Sequence, residues 1–345
     1  MLTAFAALAS VRARGQELPY KIDTHHHFIP ESYRAAVERA GGDPVGLPTP
    51  PWTPQSSLEN MAANGIRKAI LSVTAPGVPI VPDIEGGRAL AREINEYAAE
   101  LREAYLDSFG FFASLPSLLD PEGALAEIEY ALDVLKADGV TLFTRYGDRT
   151  HYLGHSAFDP IWSALDARTA TVFIHPTHQV NATAISPSLP QPLIDYPHET
   201  TRTAVDLIAS NTTRRFPNVK RILSHAGGSL PYLISRVATI SDASAAEGTS
   251  VGGFGKTGSE VREDFRSFYY DLALSSDPAV LDMLLQLVPS GRIVYGSDFP
   301  YARPNAITAF REDLDAYDLG EELREMVYHK NAESLLASGR TINGR

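Results

Sequence analysis

The sequence predicts a (β/α)8 TIM barrel. Three observations lead there: eight short β-rich runs recur along the 345 residues, helical or loop segments separate them, and histidine or aspartate closes several of the runs. A barrel of this length forms a single domain, expected over residues 20–338, with a flexible extension at 1–19 and a tail at 339–345. Hydrophobic residues make up 44% of the chain and charged residues 21%, which is enough apolar material to fill a large core.

The runs, in order, are "YKIDTHHHF" (20–28), "KAILSVT" (68–74), "FGFFASL" (109–115), "GVTLFT" (139–144), "TVFIHP" (171–176), "RILSHA" (221–226), "FYYDLAL" (268–274) and "RIVYGSD" (292–298). β-Branched and aromatic residues dominate them, as suits a strand covered on both faces. Between them, "GGRALAREINEYAAELREAYL" (86–106) and "PEGALAEIEYALDVLKADG" (121–139) repeat apolar residues at i, i+3 and i+4, the spacing of helices packed on a sheet. The second starts at a proline after Asp120 and stops at Gly139. Two Pro- and Gly-rich stretches, at 41–57 and at 257–265 together with the Gly-rich residues before it, read as long loops on one rim, where barrel loops shape a pocket.

Composition removes several function classes. A net charge of −12 with no run of Lys and Arg leaves no cationic track for nucleic acid. The absence of cysteine rules out disulfides, thiolate metal sites and a cysteine nucleophile, so any metal must be held by nitrogen and oxygen. No glycine fingerprint for a nucleotide appears, so no organic cofactor is expected. The opening "MLTAFAALAS" lacks the basic leader of a secretory signal and is too short to span a bilayer. A cytoplasmic protein without membrane contact is therefore expected.

On the first strand, alternation places Asp23, His25 and His27 on one face and Thr24 and His26 on the other. Facing inward, His25 and His27 form a pair one pleat apart, close enough to share an ion, while His26 packs or hydrogen-bonds outside. Three further strands end in His175, His225 and Asp298. Barrel active sites are built at the C-terminal ends of strands, so all five side chains are expected on one rim. Three histidines and an aspartate suit one divalent ion, zinc first and manganese or iron next, and leave a histidine free for acid–base work.

The ordered motifs "IDTHHHFIP", "FIHP", "ILSHAGGSLPYLISR" and "YGSDFPY" resemble the amidohydrolase superfamily, in its branch of metal-dependent decarboxylases typified by aminocarboxymuconate semialdehyde decarboxylase. "GGDP", "WTPQSSLENM", "LSVTAPG" and "DYPHETTRTAVDLI" look most like the 6-methylsalicylate decarboxylases within that branch. The resemblance covers about residues 20–338. It implies an amidohydrolase-type barrel in which His25, His27, His175 and Asp298 bind one metal and His225 activates water or relays a proton beside it. Where relatives with two metals carry a bridging lysine at the end of strand four, this chain has Thr144 and Arg145, against a binuclear site.

The implied reaction is non-oxidative loss of CO2 from a hydroxybenzoate-type acid, with 6-methylsalicylate giving 3-methylphenol; a hydrolase or lactonase on the same scaffold is the alternative. Either Asp298 or a water handled by His225 delivers the proton. By the same resemblance Arg236 reaches the substrate carboxylate of a neighbouring subunit, which implies a homodimer or a larger homo-oligomer; a surface ion pair is the plainer reading. Relatives place another arginine after the loop tryptophan, where this chain has Ser57 and Glu59, and its loss favours a substrate with one carboxylate. Trp52, Phe299 and Tyr301 are candidate walls for a flat ring, or ordinary core. Glu199 and Thr200 are read as caps of a helix start, or as support for the metal histidines.

Overall fold

The β-rich runs take up the strands of an eight-stranded parallel barrel. The computed structural model describes residues 18–337, apart from 148–150, 181, 182, 184, 187 and 250–253. Apart from residues 18 and 19, the predicted extension and the tail lie outside the described residues. The first half runs β1 (Lys21–His27), α1 (Glu31–Arg39), α2 (Pro54–Asn64), β2 (Ile66–Ser72), α3 (Ile84–Ala104), β3 (Phe109–Ala113), α4 (Pro121–Glu129), β4 (Gly139–Phe143) and α5 (Asp159–Asp166). It continues with β5 (Thr171–His175), α6 (Asp195–Ala209), α7 (Thr212–Arg215), β6 (Lys220–Leu223), α8 (Leu230–Glu247), α9 (Gly258–Ser267) and β7 (Tyr269–Asp271). The chain closes with α10 (Pro278–Leu287), β8 (Ile293–Val294), α11 (Pro304–Ala316), α12 (Gly320–Glu325) and α13 (Asn331–Ala337).

Each strand pairs in parallel with the next in chain order. The ring closes where Thr24 N donates to Tyr295 O at 2.9 Å and Asp298 N donates to His25 O at 2.8 Å. A short antiparallel ribbon, Arg145–Tyr146 with His151–Tyr152, stands outside the barrel after β4. No helix among the described residues is long and apolar enough to cross a membrane.

Two helices begin inside stretches read as loops, α2 at Pro54 and α9 at Gly258, because a threonine caps each start. Thr53 and Thr257 both form capping boxes, at α2 and α9, and Asp120 accepts from Gly123 N at the start of α4. The helix expected over 121–139 is regular only to Glu129 and then widens into a π-helical turn at Tyr130–Val134.

Inside the barrel, Ile22, Ile70, Phe112, Phe173, Ile222 and Val294 contribute one apolar layer from six strands, and Leu335 and Leu336 of α13 close it from the N-terminal side. His25 rests edge-on against Phe173, with ring centroids 4.9 Å apart. The polar cluster is thus seated directly on the packed layer, which fixes its depth.

Gly228, between β6 and α8, has φ +65°, and a Cβ there would lie 2.0 Å from Pro197 O of α6. Gly228→Ala is expected to lose about 1–3 kcal/mol from backbone strain alone, with the clash added to it. The check is the thermal midpoint, and an unchanged value would contradict this account of the turn that follows His225.

Candidate metal centre and active site

Four side chains predicted on one rim come together: the ligand atoms of His25, His27, His175 and Asp298 lie within 4.8 Å of one another. His25 Nε2 is 3.1 Å from His27 Nε2, and Asp298 Oδ1 is 3.5 Å and 3.2 Å from those two nitrogens. The histidines are buried. Their outer nitrogens are all engaged: His25 Nδ1 donates to Asp271 Oδ2 at 3.0 Å, His27 Nδ1 to Ser72 O at 3.2 Å, and His175 Nδ1 to Pro176 O at 2.7 Å. With Nδ1 of each ring engaged on the outside, three Nε2 atoms and a carboxylate face one another.

Such a convergence repels itself unless a positive charge sits inside it. Burial disfavours a proton on His25, yet Asp271 and Asp298 outweigh that and raise the ring to about 10. Burial lowers His27, and lowers His175 well below the usual imidazole range. Burial also works against ionising Asp298, but the His25 and His27 contacts win and hold its carboxyl well below the usual carboxylate range. The group as a whole therefore draws in positive charge. An N3O donor set with every outer nitrogen engaged fits a divalent ion of borderline softness.

His225 stands beside this group, its ring 4.8 Å from that of His25. Its Nδ1 donates to Ala273 O at 3.0 Å and its backbone N to Asp271 Oδ1 at 3.1 Å. No partner for its Nε2 occurs among the described residues. The ring thus keeps its Nε2 available for a ligand or water. His225 and Asp298 both carry left-handed backbones, with φ 56° and 62°. Strain at two non-glycine residues of one site is sustained by the surrounding hydrogen bonds, a pattern found at functional centres.

Asp271 escaped the sequence reading. It is fully buried and serves both halves of the site, with one oxygen on the His25 ring and the other on the backbone of His225 and Ala273. The available signal was a lone acidic residue in the middle of the seventh run. Asp271→Asn should keep the fold but weaken metal binding about 10- to 100-fold, because a second partner that orients a ligating histidine contributes on that scale. Titration with a competing chelator checks this, and unchanged affinity would remove Asp271 from the site.

Alternation assigned Asp23 to the face of His25 and His27. The β1–β2 register shifts between Asp23 and His26, and the Asp23 carboxylate instead accepts from Ser297 N at 3.0 Å, Ser297 Oγ at 2.6 Å and His26 Nδ1 at 3.0 Å. It pins the segment that carries Asp298. His26, on the opposite face as expected, has its Nε2 2.9 Å from Ser57 Oγ of α2, and that oxygen accepts the Trp52 indole N–H at 2.9 Å. Trp52 packs with Phe299, Ala302 and Ile307 in a small apolar cluster and also against the main core, where it meets Phe28. The Phe299 ring lies 4.9 Å from His26, and that of Tyr301 lies 5.7 Å from His27.

One expectation needs correction. Glu199 and Thr200 are neither caps nor supports of the metal histidines, because α6 begins four residues earlier, at Asp195, and runs through Pro197 in its first turn, where a missing N–H costs nothing. Glu199 accepts from the Tyr152 hydroxyl at 3.0 Å. Arg236 is exposed on α8, and no ion-pair or hydrogen-bond partner for it occurs among the described residues. It does not touch the histidine cluster of its own chain.

The Amidohydrolase family model matches residues 22–337. The 6-methylsalicylic acid decarboxylase of Penicillium expansum is 50% identical over 307 residues, covering 89% of this chain and 93% of its own length. A second 6-methylsalicylic acid decarboxylase, from Aspergillus aculeatus, is 50% identical over 84% of this chain and 87% of its own. Among solved structures, an amidohydrolase II superposes with a TM-score of 0.82 at 32% identity, over 92% of this chain and 99% of that one. The 2,6-dihydroxybenzoate decarboxylase from Rhizobium shares the fold, with a TM-score of 0.77 at 23% identity, over 93% of this chain and 99% of that one.

Proposed function

The chain belongs to the amidohydrolase family, and from that premise we propose that it is a metal-dependent, non-oxidative decarboxylase converting 6-methylsalicylate to 3-methylphenol and CO2. It is a carboxy-lyase of small aromatic acids, as its half-identical relatives are. The observation that carries the mechanism is the convergence of three Nε2 atoms and one carboxylate with the His225 ring beside them.

His25, His27, His175 and Asp298 would hold the ion, zinc first and manganese or iron next. When bound, it supplies a fixed positive charge for the ortho-oxygen and carboxylate of a salicylate. The carboxyl-bearing carbon must take a proton before or during C–C cleavage, because the electron pair left by CO2 departing an intact ring would lie outside its π system. A proton added there breaks the aromatic sextet, cleavage returns the pair to the ring, and CO2 leaves without an oxidant.

His225 is placed to manage that proton. With Nδ1 at Ala273 O, Nε2 would take a proton from water and pass it to the carboxyl-bearing carbon, which keeps it when CO2 leaves. Asp298 is the second carrier in reach of the same space. Trp52 and Phe299 offer a flat apolar wall to the ring.

CO2 release from a panel of salicylates, with lactones run beside it, tests the proposal. Turnover confined to lactones would replace the decarboxylase with a hydrolase. A homodimer completes the reading: Arg236 shares one face of α8 with the exposed Tyr232 and Ile240, and apolar exposure around an unpaired guanidinium suits a second copy. Arg236→Ala is expected to raise KM about 10-fold or more with metal content unchanged, the scale of losing a charged hydrogen bond to a carboxylate. An unchanged KM would return Arg236 to the solvent-exposed surface.

A further inference from the structure

Asp43, in the "GGDP" stretch, has no part in the chemistry above, yet its side chain is almost wholly buried. One oxygen accepts from Val45 N at 2.9 Å and Leu47 N at 3.3 Å, which folds the start of the first rim loop. The other lies 3.1 Å from His178 Nε2, a close contact without the geometry of an aligned hydrogen bond.

His178 lies three residues beyond β5 and is 8% exposed. Its Nδ1 is 3.3 Å from the Tyr196 hydroxyl at the start of α6, and its carbonyl accepts from the Arg145 guanidinium beyond β4. Four rim segments therefore meet at His178, two of them at its ring. The Tyr196 ring is 6.0 Å from that of His175, so the junction stands directly above the candidate metal centre. At its far end the same loop is tied by Arg34 to Pro50 O at 2.7 Å, just before Trp52.

We propose that the Asp43–His178 pair is a clasp that seats the first rim loop over the pocket, so that these two positioning residues set how tightly the aromatic acid is held. With the loop anchored at Asp43 and at Arg34, the backbone leading to Trp52 has little freedom. With Asp43 released, it is tied at one end only. The pair acts through the loop and touches no reacting atom, so its loss should appear in substrate binding and leave metal content intact.

The assay rests on the decarboxylase reading, so a second readout independent of turnover is needed. Asp43→Asn keeps an acceptor for Val45 and Leu47 while removing the charge that faces His178. It should raise KM about 10- to 100-fold with a smaller change in kcat, the scale expected when a positioning element shifts. Backbone hydrogen exchange across 41–51 should speed up while the barrel strands stay as protected as in the wild type. His178→Gln should do the same, and the double variant should be no worse than the worse single, because the two residues act as one unit.

Wild-type KM and unchanged exchange across 41–51 in both single variants would overturn the clasp, as would effects that multiply in the double variant. If the wild type turns over no salicylate, the decarboxylase reading fails, while the exchange measurement still decides the clasp. Faster exchange throughout the barrel would also overturn it, since the pair would then support the whole fold and not one loop.

Discussion

His225→Ala lowers kcat by about 10²- to 10⁴-fold, the contribution expected of a positioned acid–base group, while the protein keeps its full metal content. The split follows from where the bonds of His225 go. Its ring donates to Ala273 O and contributes no atom to the four-ligand group. Its backbone N–H to Asp271 survives truncation to alanine, so the carboxylate that orients His25 is undisturbed.

The left-handed backbone at φ 56° is no easier for alanine than for histidine, so His225→Asn serves as a control that suits this conformation yet cannot carry the proton. Both variants should be metal-replete and nearly inactive. Metal loss in both, equal to that of a ligand variant, would show that His225 belongs to the ligand set and that the free base lies elsewhere.

Much of this site was legible because strands carry a period of two and barrel chemistry sits at strand ends. "HHH" at the end of a strand resolves into an inward pair and an outward single residue, and His26 meets Ser57 of α2 on the side that parity predicts. Parity failed one turn of the pleat earlier, at Asp23, where a shift in the β1–β2 register sends the carboxylate to Ser297. No local pattern announces such a bulge.

Asp271 was hidden for a different reason. Its meaning is a contact with His25, 246 positions earlier in the chain, and a lone acid in "FYYDLAL" carries no spacing that points there. Helix starts failed in a third way: proline in the first turn of α6 reads as a boundary after it, whereas the helix simply contains it, and Glu199 moved from cap to interior as a result. Periodic features survive the reading of one chain. Features made by closure of the barrel do not.

Asp298→Ala is expected to abolish both metal binding and turnover, with activity down roughly 10³-fold or more, because Lewis-acid stabilisation supplies several kcal/mol and each ~1.4 kcal/mol is a factor of ten. Asp298 is the one anionic member of the candidate set, its Oδ1 lying 3.2 Å and 3.5 Å from two histidine nitrogens. Three imidazoles remain after its removal, and they hold a hard-to-borderline cation far less well than they do with a carboxylate beside them.

The same variant should lose a stability effect. An ion that binds only the folded chain stabilises it by about 4 kcal/mol when present at a thousandfold excess over its dissociation constant, so chelation should lower the wild-type melting midpoint and leave that of Asp298→Ala unmoved. Asp298 N donates to His25 O and the Asp23–Ser297 bonds do not involve its side chain, so the strand end should stay in place without the carboxylate. A variant that keeps a full complement of ion and a metal-dependent midpoint would mean that the three histidines bind without Asp298, and the aspartate would then be left with the proton alone.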